Sequence, residues 1–241
     1  MAPLGGFDVG GHLYIVKIGV NLDTVKILTL RRAMVDDAGY HHGDLRRALL
    51  DAARETLRRD GPARLSLRAV ARAADVSHAA PYHHFRDKDA LLAALAEEGF
   101  QELREVVEIR AAAARSPDVA MQEAAVAYIL FAVDQPELFR VMFGPQLADE
   151  TSHPTLRSSA RAAYRTIEEG LERCVPPSSA ANRLESMAMG SWALIHGLAV
   201  LILDGQILAA TPAEVERLAR EITRVFWGGL STAVVISSEG G

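Results

Sequence analysis

The chain has 241 residues, a formal net charge of −5, 49% apolar and 24% charged residues, and a single cysteine. This length and composition fit an ordinary globular protein and exclude collagen-like, intrinsically disordered and disulfide-stabilised scaffolds. The acidic balance also argues against a nucleic-acid partner, provided that the charge is evenly spread along the chain.

The charge is not evenly spread. Residues 41–90 carry ten Lys and Arg against seven Asp and Glu, and they hold five of the eight histidines. Residues 91–241 carry twelve Lys and Arg against twenty Asp and Glu. A small basic segment ahead of a large acidic one indicates two functions in one chain.

The first 38 residues are a leader in which one short strand would have no partner. They lack the basic start of a signal peptide. We therefore expect either that this segment is disordered or that its start codon was assigned too far upstream and Met34 is the true initiator. Residues 186–203 carry no charge over eighteen positions, the lower limit for a transmembrane helix. Because this stretch contains two serines and a histidine and lacks an aromatic belt, we interpret it as a core helix and expect a cytoplasmic protein without a membrane partner.

Helical periodicity dominates the rest of the chain. Apolar residues recur every three to four positions from His42, and residues 59–62, Arg-Asp-Gly-Pro, end this first helix. Ser66 and Ser77 are candidate caps of two short helices that follow. Further helices are predicted at 87–114, 118–134, 136–143, 153–174, 179–204 and 212–230. Because strands and helices do not alternate along the sequence, the predicted fold class is all-α.

The two short helices are separated by the turn Ala74-Asp75-Val76, which is typical of a helix-turn-helix whose second helix lies in the major groove. This segment resembles the tetracycline-repressor-like (TetR) family of bacterial transcriptional regulators. The matching features are a helix ending before Gly61, the pattern Leu67-x-x-Val70-Ala71-x-x-Ala74-x-Val76-Ser77, the run Tyr82-His83-His84-Phe85, and Lys88 with Leu91-Leu92. The resemblance covers roughly residues 42–92 and implies a three-helix DNA-binding domain.

The resemblance implies DNA contacts from eight residues: Ser66, Arg68, Ser77, His78, Ala80, Tyr82, His83 and Lys88. For some of these positions there is an alternative to DNA contact. Tyr82, like the neighbouring Phe85, would pack the core of the small domain, and Arg68 and Lys88 would be solvated surface charges. A metal site at the histidines is not predicted, because no cysteine or paired carboxylate shares their spacing.

Two residues depart from the family pattern. Asp75 stands where the family usually has glycine, at a left-handed turn position that Asp tolerates less easily than Gly. Pro81 lies inside the expected reading helix, where it removes a backbone donor and disfavours helical geometry at Ala80. It is favourable only if that helix begins later and Pro81 is its first residue.

The acidic part of the chain resembles, over a shorter stretch, the TetR subgroup whose C-terminal domain is named for Trp, His and Gly. The matching residues are Leu138-Phe139-Arg140-Val141-Met142-Phe143-Gly144 and Trp192-x-x-x-His196-Gly197. Candidates to line an apolar ligand cavity are Tyr128, Phe131, Phe139, Met142, Phe143, Met187, Met189, Trp192 and His196. The alternative for His196 is a buried histidine that a neighbouring group hydrogen-bonds. No cluster of charged residues for a polyanionic ligand is predicted.

The last two predicted helices carry a candidate dimer interface. Small residues at three-to-four spacing let another helix approach closely, and the last helix adds apolar residues. The interface is predicted to comprise Gly190, Ala193, Gly197, Leu218, Ile222 and Phe226, with Val215 and Val225 on the same helix. The resemblance likewise implies a homodimer, whose two-fold symmetry suits a palindromic DNA site.

These predictions divide the chain into a leader (1–38), a DNA-binding domain (39–88), a helical ligand-binding and dimerisation domain (89–232) and a disordered tail (233–241). The predicted function is a ligand-responsive repressor that binds a pseudo-palindromic operator as a homodimer and is released by a small apolar molecule. The alternative is a helical small-molecule carrier or an enzyme without DNA binding. Because the sequence contains no recognised catalytic motif and Cys174 lacks an adjacent base, neither catalysis nor a cofactor is predicted.

Overall fold

The computed structural model describes residues 45–147, 153–175, 181–209 and 211–238. The eight α-helices in these residues are α1 (Leu45–Asp60), α2 (Leu67–Ala73), α3 (Lys88–Ala112), α4 (Pro117–Asp134), α5 (Pro136–Met142), α6 (Pro154–Glu172), α7 (Ala181–Leu203) and α8 (Pro212–Ser238). Short 3₁₀ helices span Ala80–His83 and Pro145–Leu147. The predicted all-α class is confirmed, and the leader, including Met34, lies outside the described residues.

Residues that suit helix starts stand where the helices begin. Four helices have proline at their first position, Pro117, Pro136, Pro154 and Pro212, where the missing N–H costs no hydrogen bond. Three helices, one of them α4 with its Pro117, have a side-chain acceptor before the first turn: Ser66, Asp87 and Ser116 accept hydrogen bonds from backbone N–H groups three residues on, at 3.2, 2.8 and 3.4 Å. These local signals explain why the predicted helix starts lie close to the observed ones.

The head, which we define as residues 45–87, is built on α1 and α2. The chain leaves α1 through Gly61, whose φ of +74° is available to glycine at little cost. Leu49, Val70 and Phe85 are at most 3% exposed and belong to one apolar core. Burial of these side chains fixes the helix-turn-helix against α1.

The turn after α2 is a Schellman motif. The N–H of Val76 donates to the carbonyl of Ala71 at 3.0 Å, and the N–H of Asp75 donates to that of Arg72 at 3.3 Å. Asp75 between them has a φ of +54°, so the predicted left-handed conformation at this position is confirmed. Asp tolerates this region better than most side chains, yet glycine is the residue that suits it best.

Replacing Asp75 with glycine should therefore stabilise the protein. We expect the free energy of unfolding to rise by about 0.5–1 kcal/mol, because the left-handed strain is removed, and urea denaturation measures the change. The matched control is Ala73→Gly, at the exposed last residue of α2, which should lower the free energy of unfolding by a similar amount. A destabilised D75G variant would contradict the strain argument.

The reading segment, which we define as residues 77–85, is not the α-helix capped by Ser77 that the sequence predicts. The chain makes turns at His78 and Ala79 and then the 3₁₀ helix Ala80–His83, in which Pro81 is the second residue. Pro81 has no N–H to donate to the Ser77 carbonyl, which instead accepts from Ala80 at 3.0 Å. The alternative in which the helix begins later, close to Pro81, is therefore nearer to the observed structure than a helix capped by Ser77.

The body, residues 88–238, is a bundle organised around two long helices. α3 packs against α4, α5 and α6, and α4 also packs against α7 and α8. By length and composition α7 is apolar enough to cross a membrane, with a mean hydropathy of 1.7 over Arg183–Leu203. One side of it, including Ile195 and Ala199, is buried in the bundle core.

The last helix is longer than the sequence predicts. α8 continues to Ser238, so the disordered tail expected from 233 is wrong for its first six residues, and residues 239–241 lie outside the described part. α8 passes through Gly228 and Gly229 without ending, and residues 230–238 contain no proline or glycine that would favour a helix end.

Candidate nucleic-acid interface and ligand cavity

The reading segment presents polar side chains on its outer side. His78, Tyr82 and His83 are exposed, Tyr82 to 53% of its surface, while Pro81 is buried and Phe85 is 3% exposed. The structure therefore places Phe85 in the head core and Tyr82 outside it. Tyrosine and histidine at such a position can donate to phosphate oxygens or to base edges.

Of the remaining predicted DNA contacts, some have no side-chain hydrogen bond within the described part of the chain and two hydrogen-bond the protein backbone. Arg68 and Ser77 are exposed and Ala80 is half-buried. Ser66 is exposed and caps α2 through the N–H of Ala69, and Lys88 Nζ donates to the backbone carbonyl of Pro62 at 2.8 Å. Lys88 therefore joins the loop after α1 to the start of α3, which is a structural role beside any phosphate contact.

Among the exposed arginines of the head that the sequence analysis did not select, two lie next to the two ends of α2. Arg64 and Arg72 are exposed, in the loop before α2 and in its last turn. The local excess of basic residues over 41–90 was the available signal, since periodicity alone does not rank exposed arginines.

A cluster of ion pairs connects the head to the body. The Arg54 guanidinium on α1 donates to both carboxylate oxygens of Glu102 on α3, at 2.7 and 2.8 Å, and lies 3.5 Å from the Glu98 carboxylate. Asp134, at the end of α4, has its pKa raised by burial and also by the nearby Glu102 carboxylate. Arg54 thus compensates two carboxylates, Glu98 and Glu102, at the place where the head meets the bundle.

The body contains a cavity of about 690 Å³, within the range of small-molecule sites. α3, α4, α6 and α7 supply most of its wall, and Phe143 and Trp227 complete it. Its inner wall includes Leu103, Tyr128 and Ile195, each at most 6% exposed. An apolar ligand body buried here would therefore lose most of its contact with water.

Of the nine predicted ligand residues, three line this cavity and six do not. Tyr128, Phe143 and Trp192 are wall residues. Phe131, Phe139 and Met142 are buried in the core beside it, Met187 is 9% exposed in a second apolar cluster, and His196 lies behind the wall. Met189, at 51% exposure, faces away from the core. Spacing along a helix identified the buried face but not the part of it that borders the cavity.

His196 is held by its neighbours in the core. Its Nδ1 forms a 2.8 Å hydrogen bond with the Tyr128 hydroxyl, and its ring centroid is 4.6 Å from that of Phe143. Burial lowers the pKa of His196 below its ordinary 6.5 and raises the pKa of Tyr128 above its ordinary 10.0, so both are neutral at pH 7. His196 is half-buried and hydrogen-bonded to Tyr128, and a direct contact between His196 and a ligand stays a prediction.

The predicted dimer residues divide between an open surface and the core. On α7, Ala193 and Leu201 are exposed, and a Cβ added at Gly197 would meet no atom within 4 Å. Gly190 is covered by its own chain, because such a Cβ would lie 3.6 Å from the Phe226 ring. On α8, Val225 is 75% exposed, Leu218 and Ile222 are half-buried against the core, and Val215 is a core residue at 1% exposure.

Two family models match the chain, one mainly in the head and the other in the body. The family model described as bacterial regulatory proteins of the tetR family matches residues 49–95, which contain the reading segment. A second model, the tetracyclin repressor-like C-terminal domain, matches residues 121–226, which contain most of the body. The resemblance to the Trp-His-Gly subgroup stays a prediction.

Individual proteins resemble the chain over most of its length. The HTH-type transcriptional regulator BetI of Agrobacterium fabrum is 30% identical over 179 residues, 71% of this chain and 84% of the relative. A protein of unknown function from Rhodococcus sp. RHA1 has 32% identity and a TM-score of 0.65, covering 80% of this chain and 98% of its own. A TetR-like transcriptional regulator from the same source, at 20% identity and a TM-score of 0.57 over 80% and 99% of the chains, shares the fold.

Proposed function

The chain belongs to the TetR family of bacterial regulatory proteins, and from that membership we propose that it is a repressor released from its operator by a small molecule. As a member it is a DNA-binding transcriptional regulator with a helical ligand-binding C-terminal domain. The observation that carries the proposal is the presence, in one chain, of an exposed polar reading segment and a cavity with a largely apolar wall.

The head reads DNA through the reading segment. His78, Tyr82 and His83 point outward while Pro81 and Phe85 anchor the same segment in the core. Because these two buried residues anchor the backbone, the exposed polar side chains are held in a fixed arrangement before DNA binds, and less entropy is lost on binding. Residues 39–88 form the DNA-binding domain in this proposal, and residues 89–232 form the ligand-binding and dimerisation domain.

A second copy provides the second half-site reader. The open row on α7, from Met189 through Ala193 and Gly197 to Leu201, recurs every four residues and so lies on one face of the helix. Together with Val225 on α8 it forms an apolar surface of a kind that interfaces cover. A homodimer built on this surface would present two heads to a pseudo-palindromic operator.

Helix α3 connects the ligand to the DNA. Leu103 on this helix borders the cavity, while the adjacent Glu102 binds Arg54 of the head. A ligand that displaces α3 would therefore change the position of the head. It can shift the equilibrium only by as much as it prefers one head spacing over the other.

The protein acts in the cytoplasm as a regulator and not as an enzyme. One relative that resembles the chain over most of its length is a transcriptional regulator, and the DNA that such a regulator binds lies in the bacterial cytoplasm. The cavity alone would equally serve a small-molecule carrier, so DNA binding is the property that distinguishes the two functions.

Replacing Tyr82 with alanine should weaken binding to the operator. We expect a mobility shift with the DNA that flanks the protein's own gene, and an affinity lowered about tenfold in the Y82A variant, since one good side-chain contact is worth roughly 1–3 kcal/mol. Two salt concentrations separate specific binding from binding to phosphates. Tyr82→Phe shows how much of the loss belongs to the hydroxyl.

Ile109→Ala is the matched control, because Ile109 has the same 53% exposure but lies on α3 in the body. It should bind DNA like the wild type. Undiminished binding by Y82A would remove Tyr82 from the interface, and a dissociated Y82A dimer would give it a structural role. Absence of any shift at low salt would favour the carrier.

A further inference from the structure

The cavity in the body is polarised between its inner wall and its rim. The inner wall consists of buried apolar and aromatic residues, among them Leu103, Tyr128 and Ile195. Three arginines also line it, Arg104 from α3 and Arg157 and Arg161 from α6, and all three are exposed residues. Their guanidinium groups thus lie at the solvent side of the cavity. The sequence analysis did not identify this group of arginines.

The charge at the rim has one sign. Among the described lining residues there are three arginines and no aspartate or glutamate. Acidic side chains contact two of the arginines from outside the lining: Glu168 lies 3.0 Å from Arg161, and Glu108 lies 3.8 Å from Arg104. These are exposed pairs that contribute little free energy, and each guanidinium has five donors, so it can bind a second anion.

The orientation of one arginine favours the cavity. Arg161 stacks over the ring of Tyr164, another lining residue, with its Cζ 5.3 Å from the ring centroid. Stacking fixes the plane of a guanidinium while its edges remain free to donate. Arg157 and Arg161 are four residues apart on α6, so they lie on the same face of the helix.

These features match a ligand of one chemical type. A planar guanidinium binds carboxylate or phosphate oxygens through two parallel hydrogen bonds, and the apolar wall takes a hydrocarbon body. A neutral apolar molecule would leave the rim unused, and a cation would be repelled. We propose, as an extension of the function above, that the effector is an amphipathic anion whose hydrocarbon body fills the cavity while its carboxylate or phosphate binds Arg104, Arg157 and Arg161.

The chain carries its own reporter of occupancy. It has two tryptophans, Trp192 and Trp227, and both line the cavity. A ligand that enters replaces water or empty space beside the indole rings, so intrinsic fluorescence changes on binding without an added label.

The test is a fluorescence titration of the full chain with four probes of equal chain length, each below its micelle-forming concentration. The probes are dodecanoate, dodecyl phosphate, the neutral dodecanol and the cationic dodecyltrimethylammonium. We expect both anions to bind at least tenfold more tightly than dodecanol, the gain of one or two charged hydrogen bonds, and the cation to bind most weakly. Dodecanoate and dodecyl phosphate distinguish a carboxylate head from a phosphate head.

The variant R157Q/R161Q should lose that preference, so that dodecanoate binds about as weakly as dodecanol while dodecanol binding is unchanged. Arg165→Gln is the matched control, because Arg165 is exposed on the same helix but does not line the cavity, and it should bind like the wild type. Equal binding of dodecanol and dodecanoate to the wild type, or an unchanged preference in R157Q/R161Q, would overturn the inference.

The mobility shift separates this inference from the proposed function. Release of the operator by dodecanol and not by dodecanoate would leave a ligand-responsive repressor and overturn the anionic effector. Anion-selective binding by a protein that does not bind DNA would support the site and contradict the repressor. Release by dodecanoate that R157Q/R161Q abolishes would support both.

Discussion

Replacing Gly197 with leucine should prevent the homodimer from forming and lower the affinity for the operator at least a hundredfold. A side chain at this position enters open space in the single chain, where no atom lies within 4 Å of the new Cβ. In the proposed dimer that space belongs to the helix of the second copy, which small residues allow to approach. Sedimentation velocity measures the oligomeric state, and the mobility shift measures the loss of the second half-site contact.

The variant should not lose stability as a monomer. Leucine has a higher helix propensity than glycine by roughly 0.8 kcal/mol, and nothing in the chain obstructs it. Ala112→Leu is the matched control, since it adds a leucine at an exposed position in the last turn of α3 and should leave the dimer intact. If G197L sediments as the wild type does, the interface is not on this face of α7.

Replacing Glu123 with alanine should destabilise the body by about 2–3 kcal/mol, a fall in Tm of roughly 5–10 °C. Glu123 on α4 accepts hydrogen bonds from Arg110 on α3, at 2.8 Å, and from Arg220 on α8. Arg110 also donates to Glu216 at 2.5 Å. The carboxylate is 17% exposed, so its removal leaves two partly buried guanidinium groups with less compensation. Thermal and urea denaturation at one fixed protein concentration measure the loss.

The same carboxylate predicts how stability depends on pH. The hydrogen bond from Arg220 is the main cause that lowers the pKa of Glu123 below its ordinary 4.5. A carboxylate with a lowered folded-state pKa stabilises the protein above the unfolded pKa, and this contribution is lost as pH falls through the folded value. The wild type should therefore lose more stability than Glu123→Gln when the pH falls from 5 towards 3.

An exposed ion pair on the same helix serves as the control. Arg217 and Glu221 on α8 lie 3.5 Å apart with side chains 72% and 63% exposed, so Glu221→Ala should cost less than about 0.5 kcal/mol. Equal losses for E123A and E221A would mean that the three-helix network does not hold α8 on the bundle.

The sequence by itself determined the local structure of this protein. Caps and prolines act on the residues next to them, so the starts of α2, α3 and α4 were readable from Ser66, Asp87 and Ser116. The left-handed turn at Asp75 was readable for the same reason. Pro81 indicated that the reading segment would depart from an α-helix, because it has no N–H to donate to the carbonyl of Ser77, and this effect is also local.

Only the tertiary structure decided which side chains border the cavity. Tyr128 lines it, whereas Phe139 fills the core beside it, although both are aromatic residues on buried helix faces. Periodicity reports that a face is buried but not against what, and a cavity is a space that helices distant in sequence leave between them. For that reason the sequence did not reveal the rim, where Arg104 of α3 meets Arg157 and Arg161 of α6.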